Sequence, residues 1–153
     1  MRKLFAYGSL VNIQTLGVPF HSIKPASVYG FQRSWCQAAI WSGQRFSALG
    51  IRDGGHDAHV NGALLTIDDT DWHYFIDREV GYEHRIVTTI NANGDEEEGH
   101  TFLSPTNGKA SPPPILLSYC LTVMRGFHEL GSIQDVGRFV ELTNLWAHDL
   151  VND

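Results

Sequence analysis

Basic residues and long apolar runs are both scarce in this sequence. Lys and Arg total 11 against 17 Asp and Glu, a formal net charge of -6. Such a surface repels phosphate backbones, and no clustered basic stripe overrides it, so we expect no nucleic-acid partner. No apolar run approaches the length of a membrane span, and the stretch after Arg2 and Lys3 breaks at Gly8 and Ser9, too early for a secretory signal. We therefore expect no membrane partner.

Cysteine is nearly absent as well. The two cysteines, Cys36 and Cys120, are far apart and lie in apolar stretches. This is typical of buried, reduced thiols, so we expect a cytoplasmic location. The sequence alone leaves a single disulfide between them open.

The common signatures of metal, nucleotide and nucleophile sites are missing. No GxSxG elbow, HExxH pair or glycine-rich phosphate loop occurs. His56, Asp57 and His59 fall in a glycine-rich stretch with no further spaced ligand, which is typical of an exposed polar loop. We therefore expect neither a metal nor a cofactor.

The size of the chain limits its organisation. With 153 residues and 17.1 kDa, it has the size of one ordinary domain. Hydrophobic residues make up 42% and charged residues 18%, a balance unlike that of disordered chains or coiled coils. Only about 40 residues follow the proline-rich stretch 104–114, too few for a second core. We expect a single domain over residues 1–153.

The first two thirds of the chain show the short apolar or alternating runs that are typical of β-strands. Asn93 and Gly94 form a hairpin-turn pair, followed by an acidic tip at 95–98. The predicted strands cover residues 3–7, 26–33, 46–51, 60–67, 82–90 and 99–103.

Helical spacing predicts one helix among the strands and two after them. Strands first and helices last favour an α+β fold. The first helix is predicted to begin at an N-cap formed by Asp68 or Asp69 and to continue past Trp72, Phe75 and Ile76. The other two are predicted over residues 115–130, with a stop at Gly131, and from the N-cap Ser132 to Trp146.

A glycine-serine pair follows the first predicted strand, in Tyr7-Gly8-Ser9-Leu10. Glycine permits positive φ and close approach of a ligand to the main chain, so such a turn exposes consecutive backbone N–H groups. A concavity of that kind binds carboxylates or oxyanions. On these residues alone, an ordinary turn is the simpler interpretation.

Glu79 continues the apolar face of the first predicted helix, after Phe75 and Ile76. It also lies at the C-terminal end of that helix, where the helix dipole disfavours negative charge. Burial and the dipole both raise the pKa of a carboxyl group, the condition for a general base near neutral pH. The alternative is a structural ion pair, with Arg33, Arg45 or Arg85 as the partner.

Together, the YGSL motif at 7–10 and the sequence IDREVGY at 76–82 resemble the motifs of the γ-glutamylcyclotransferase superfamily. In that superfamily the first motif follows the first strand, and the glutamate of the second is the catalytic acid/base. Residues 62–65 and 118–131 are similar to a strand and a helix of the family, so the resemblance covers residues 4–131. It implies a small mixed barrel-like sheet with flanking helices, within the α+β class.

The resemblance also implies a reaction. Family members release 5-oxoproline and an amine from small γ-glutamyl compounds, because the α-amine of the substrate attacks its own γ-carbonyl. Such a reaction needs no protein nucleophile, metal or cofactor. The implied general base and acid is Glu79, and the implied substrate-binding residues are Tyr7, Gly8, Ser9, Leu10, Tyr82 and Arg33.

The leaving amine stays open. Residues 42–47 lack the Arg-Gly-Thr-Pro-rich stretch of the ChaC-type branch, so the resemblance does not single out glutathione over a γ-glutamyl amino acid or a γ-glutamylamine. We expect residues 37–44 and 104–114 to shape the pocket. The alternative is a non-catalytic small-molecule-binding or interaction domain on the same fold, although a buried charge without a function is readily lost.

Overall fold

The computed structural model of the chain describes residues 1–105, 113–144, 146 and 149–153. None of the helices in these residues is long and apolar enough to span a membrane. The strands are β1 (Arg2–Ala6), β2 (Ser22–Tyr29), β3 (Phe31–Trp41), β4 (Gln44–Asp53), β5 (His59–Ile67), β6 (Glu83–Ile90), β7 (Glu96–Leu103), β8 (Ile115–Leu116), β9 (Thr143–Asn144) and β10 (Leu150–Val151), and the helices are α1 (Trp72–Arg78), α2 (Leu117–Leu130) and α3 (Ile133–Glu141).

Five strands close into a small barrel in the order β1-β5-β2-β6-β7. β1 runs antiparallel to β5, with Leu4 opposite Leu65, and it pairs in parallel with β7 next to His100, which closes the barrel. Apolar side chains such as Phe5 and Leu64 form one buried cluster. Closure pairs each strand of the barrel with two neighbouring strands. The α+β class and the barrel-like sheet with flanking helices are confirmed.

A second sheet has the order β4-β3-β9, and its long hairpin differs from the prediction. Residues 26–33 do not form one strand, because Gly30 turns the chain at φ 87° between β2 and β3. β3 extends as far as Trp41 and a tight turn leads into β4 at Gln44, so residues 37–44 belong mostly to the hairpin. Ser42 and Gly43 both have positive φ in that turn.

The two C-terminal helices are shorter than predicted. Residues 115–116 pair with β10 instead of beginning α2. Ser132 caps α3 as expected, accepting a hydrogen bond from the Gln134 N–H. However, α3 ends at Glu141 and does not reach Trp146, because Thr143 and Asn144 pair with β3. That pairing makes residues 143–144 the third strand of the second sheet.

Candidate active site

The loop after β1 starts the site. The chain leaves the strand at Tyr7 and enters a 3-10 turn over Ser9–Val11. The last N–H of this turn donates to the Gly8 carbonyl oxygen at 3.0 Å, whereas its first N–H groups have no partner inside it. A Cβ on Gly8 would lie 3.4 Å from the Leu49 Cβ and 3.6 Å from the Tyr119 hydroxyl. These are ordinary van der Waals distances, and the φ of Gly8 is -136° and not positive, so neither close packing nor a left-handed backbone requires glycine at this position.

Glu79 follows α1 as its C-cap residue. Its N–H donates to the Phe75 carbonyl oxygen at 2.9 Å, but its φ of -97° and ψ of 32° leave the helix. Trp72 and Phe75 are buried as expected, whereas Ile76 is 41% exposed, so the inward face is narrower than predicted. No side-chain hydrogen bond from Asp68 caps the turn before α1, contrary to the prediction. The half-buried Glu79 side chain continues the narrow face and lines a cavity beside β1.

The Glu79 carboxylate forms no ion pair with any residue that the structure describes, although three arginines were candidate partners. Arg33 is buried elsewhere, Arg85 binds two other carboxylates and Arg45 is exposed. Burial raises the pKa of the Glu79 carboxyl group, and the nearby charge of Arg78 partly opposes this shift. The site therefore contains a carboxylate that is free to take up and release a proton.

One small cavity brings the two sequence motifs together. It has a volume of about 70 Å³. Every residue predicted for the site except Arg33 lines it. The loop contributes Tyr7, Gly8, Ser9 and Leu10, and the second motif contributes Glu79 and Tyr82. The remaining walls are Leu4, Phe5 and Ala6 of β1, Leu49 of β4, Phe102 of β7 and Tyr119 of α2.

Three tyrosines share this cavity with Glu79. The Tyr7 hydroxyl donates to the Phe102 carbonyl oxygen at 2.7 Å. Burial raises the pKa of Tyr7, Tyr82 and Tyr119 above the usual value of a phenol, and the charge of Glu79 adds to each shift. All three therefore stay protonated at neutral pH. The Tyr7 proton is used in the hydrogen bond to Phe102, which leaves the hydroxyls of Tyr82 and Tyr119 as hydrogen-bond donors. Tyr119 was missed by sequence reasoning, and the only signal was a hydroxyl on an otherwise apolar helix face.

Arg33 lies behind the loop and is fully buried. Its guanidinium donates to the Tyr7 carbonyl oxygen at 3.1 Å and to the backbone and side-chain oxygens of Asn61, both at 2.7 Å. It also donates to the Thr143 hydroxyl at 2.8 Å and to the Phe139 carbonyl oxygen at 3.4 Å. These five hydrogen bonds use all five N–H donors of an arginine.

The Arg33 charge has no carboxylate within ion-pair distance among the described residues. Instead, the rings of Phe127 and Phe139 lie 5.3 Å and 4.7 Å from the guanidinium carbon. Burial lowers the pKa of Arg33 to about 9, so it is still charged at neutral pH. We therefore correct the expectation that Arg33 contacts substrate, because its donors are engaged and it holds the Tyr7 carbonyl from behind the loop.

A metal site needs several histidine, cysteine or carboxylate side chains close together. Within the described part of the chain, no cluster of three or more histidine, cysteine or carboxylate side chains is arranged to bind an ion. His56 and Asp57 contact each other at the surface, as expected for an exposed polar loop. Cys36 and Cys120 are both free thiols. Of the segments predicted to shape the pocket, residues 106–112 lie outside the described residues. Residues 37–40 and 42–44 do not line the cavity.

No family model matches this sequence, and no curated protein matches it either. Solved structures do match. A γ-glutamyl cyclotransferase shares 16% sequence identity, with a TM-score of 0.75 over 98% of this chain and 93% of its own. YkqA from Bacillus subtilis shares 20%, with a TM-score of 0.70 over 92% of this chain and 53% of its own. A yeast γ-glutamyl cyclotransferase specific to glutathione shares 12%, with a TM-score of 0.60 over 97% of this chain and 90% of its own.

These likenesses concern the arrangement of strands and helices. At identities of 12% to 20% they show the fold and leave the chemistry to be argued from the cavity. The chain has the γ-glutamylcyclotransferase-like fold, so the resemblance that the two motifs suggested is confirmed at the level of the fold.

Proposed function

We propose that this protein is a γ-glutamylcyclotransferase that releases 5-oxoproline and an amine from a small γ-glutamyl compound. The observation that carries the proposal is the Glu79 carboxylate, which has a raised pKa and no ion-pair partner among the described residues. It faces the same small cavity as the loop from Tyr7 to Leu10. A carboxylate and a row of backbone donors are the two elements that an intramolecular aminolysis requires.

Glu79 moves the proton in both halves of the reaction. It first takes a proton from the α-ammonium of the substrate, and the resulting amine nitrogen forms a bond to the γ-carbonyl carbon. When the original amide C–N bond breaks, Glu79 returns this proton to the departing nitrogen. The ring nitrogen loses a second proton as the lactam forms, and the departing amine takes up that proton and leaves as an ammonium ion. The products are 5-oxoproline and a free amine, and no water is consumed. A carboxyl pKa raised by burial suits both steps, because the group must be a base first and an acid afterwards.

The loop and the tyrosines supply the polar environment. The N–H groups at the start of the turn over Ser9–Val11, which have no partner within that turn, serve as donors for the substrate carboxylate or the developing oxyanion. Tyr82 and Tyr119 add protonated hydroxyls to the same lining. The small volume favours a folded γ-glutamyl group, which brings amine and carbonyl together and contributes through proximity.

The test is the formation of 5-oxoproline from γ-glutamyl dipeptides, γ-glutamylamines and glutathione. We expect at least one of these compounds to be converted. Replacement of Glu79 by Gln keeps the shape of the side chain and removes the base, so we expect kcat/KM to fall by about 10²- to 10⁴-fold. Glu129→Gln, at an exposed position of α2, is the matched control and should leave kcat/KM unchanged.

Two outcomes would count against the proposal. If no compound yields 5-oxoproline, a non-catalytic binding domain on this fold becomes the better explanation. If Glu79→Gln retains full activity, the assignment of the base is wrong even though the reaction is right. Circular dichroism of each variant separates these results from misfolding.

A further inference from the structure

A second, larger cavity opens next to the one that contains Glu79. This adjacent groove has a volume of about 540 Å³ and shares Ser9 and Tyr119 with the smaller cavity. Ligand pockets usually measure about 300–1,000 Å³. The groove is therefore large enough for a ligand group, whereas the 70 Å³ around Glu79 accommodates only a compact end of a substrate.

The walls of the adjacent groove are mainly apolar. They are formed by Phe46 of β4, Leu116 of β8 and Tyr119 of α2, with the rings of Phe46 and Tyr119 5.4 Å apart. Ser118 also borders the groove, but its hydroxyl is engaged by the Asp153 carboxylate. A ligand group gains affinity in such a groove by covering these walls with apolar surface.

Arg78 is the one charged side chain among the described residues that line the groove. Its Nη1 donates to the Thr15 carbonyl oxygen at 2.7 Å, and the Thr15 hydroxyl donates to the Ser9 carbonyl oxygen at 2.7 Å. The guanidinium is thus tied to the loop of the site. It has no ion pair with a described carboxylate, so its other donors are available to an anion.

Arg78 and Glu79 are consecutive residues, yet they line different cavities. A substrate that spans both cavities meets Glu79 at its reacting amide and Arg78 further along. We infer that the adjacent groove binds the leaving group, and that this group is an amino acid with a large apolar side chain. Its carboxylate lies on Arg78 and its side chain on Phe46 and Leu116. This inference rests on the proposed cyclotransferase function.

Other leaving groups fit the groove less well. A cationic amine is repelled by the guanidinium of Arg78. The cysteinylglycine part of glutathione offers a carboxylate but leaves the walls around Phe46 largely uncovered. Burying a side chain of the size of leucine or phenylalanine corresponds to about ten- to hundredfold in affinity. The groove therefore selects for apolar surface and negative charge together.

Four substrates separate these two requirements. They are γ-glutamyl-phenylalanine, γ-glutamyl-glycine without the side chain, γ-glutamyl-phenethylamine without the carboxylate, and γ-glutamyl-putrescine with a cation. We expect kcat/KM for γ-glutamyl-phenylalanine to exceed each of the others by about tenfold or more. Equal values for the phenylalanine and glycine compounds overturn the apolar contact. Equal values for the phenylalanine and phenethylamine compounds overturn the role of Arg78.

Binding measured without turnover distinguishes failure of this inference from failure of the proposed function. Calorimetric titration of the Glu79→Gln protein with the same four compounds should give the same order of affinities. If wild-type protein produces no 5-oxoproline but this order is found, the proposed reaction is wrong and the groove assignment stands. If binding follows another order, the groove assignment is wrong whatever the activity.

A variant of Arg78 isolates its contact with the leaving group. Arg78→Met should lower the ratio of kcat/KM for γ-glutamyl-phenylalanine over γ-glutamyl-phenethylamine by about tenfold. The ratio is the useful quantity because Arg78 also affects the pKa of Glu79. A change in that pKa alters kcat/KM for both substrates by the same factor and leaves their ratio unchanged. Arg125→Met, at an exposed position of α2, is the matched control and should leave the ratio unchanged. An unchanged ratio in Arg78→Met would overturn the inference.

Discussion

The molecule buries charge in two neighbouring places, and the two are organised in opposite ways. Behind the loop, Arg33 is fully buried and uses five hydrogen bonds. In the cavity, Glu79 is half-buried and its carboxylate has no ion pair among the described residues. A charge whose donors are all engaged fixes its surroundings, whereas an unpaired carboxylate can change its protonation. The first region thus holds the loop in place, and the second is suited to chemistry.

Removal of the Arg33 charge should have the largest effect on stability. Arg33→Met leaves the buried oxygens of Asn61 and the Tyr7 carbonyl without their donors. Each orphaned acceptor costs about 1–3 kcal/mol, so we expect the free energy of unfolding to fall by about 3 kcal/mol or more. Urea denaturation followed by circular dichroism measures this change.

Arg125→Met serves as the control for Arg33→Met, because Arg125 is exposed on α2. We expect its effect to be within about 0.5 kcal/mol. A loss below about 1 kcal/mol in Arg33→Met would mean that the five hydrogen bonds do not hold the loop. The contrast between the two buried charges would then disappear.

The pH dependence of activity tests the second buried charge, the carboxylate of Glu79. Glu79 acts as a base in its ionised form, so kcat/KM should fall about tenfold per pH unit below its pKa. Because burial raises that pKa, the acid limb should lie above about 4.3, the ordinary value of a glutamate. Arg78→Met removes a charge that lowers the pKa and should move the limb further up. Because kcat/KM reports the free protein, a limb at or below the ordinary value would show that the carboxylate is already paired before substrate binds.

The sequence predicted the features that depend on a local pattern of residues. Alternation and turn residues located most of the barrel strands, and helical spacing together with the YGSL motif identified Glu79 and the loop. Tyr119 was missed because an aromatic residue on the apolar face of a helix gives no signal of its own. Arg33 was misplaced because its partners come from the loop after β1, from β5, from α3 and from β9, which only the folded chain brings together. The groove was missed for the same reason.

Tyr7 connects the two regions, since its carbonyl binds Arg33 and its side chain lines the cavity. Tyr7→Phe removes the hydrogen bond to the Phe102 carbonyl oxygen and leaves the contact with Arg33 intact. We expect the free energy of unfolding to fall by about 1 kcal/mol and kcat/KM to fall by less than about tenfold. Tyr29→Phe, at a side chain that is 54% exposed, is the matched control and should change neither. A loss as large as that of Arg33→Met would show that the loop is held from the cavity side.

The smallest predicted effect is a gain in stability on removal of the Glu79 charge, whereas Arg33→Met and Tyr7→Phe lower stability. The raised pKa of Glu79 means that the folded protein binds this proton more tightly than the unfolded chain does. The carboxylate therefore lowers stability progressively as the pH rises above its unfolded-state pKa, and the loss is complete above its folded-state pKa. Near about pH 4 the group is largely neutral in both states. We expect Glu79→Gln to raise the free energy of unfolding at pH 7 by less than about 1 kcal/mol, because the half-buried group is screened by solvent. The gain should vanish near about pH 4, measured by urea denaturation with Glu129→Gln as the control. A loss of stability at pH 7 would mean that Glu79 has a stabilising partner, as Arg33 does, and that the two buried charges are organised alike.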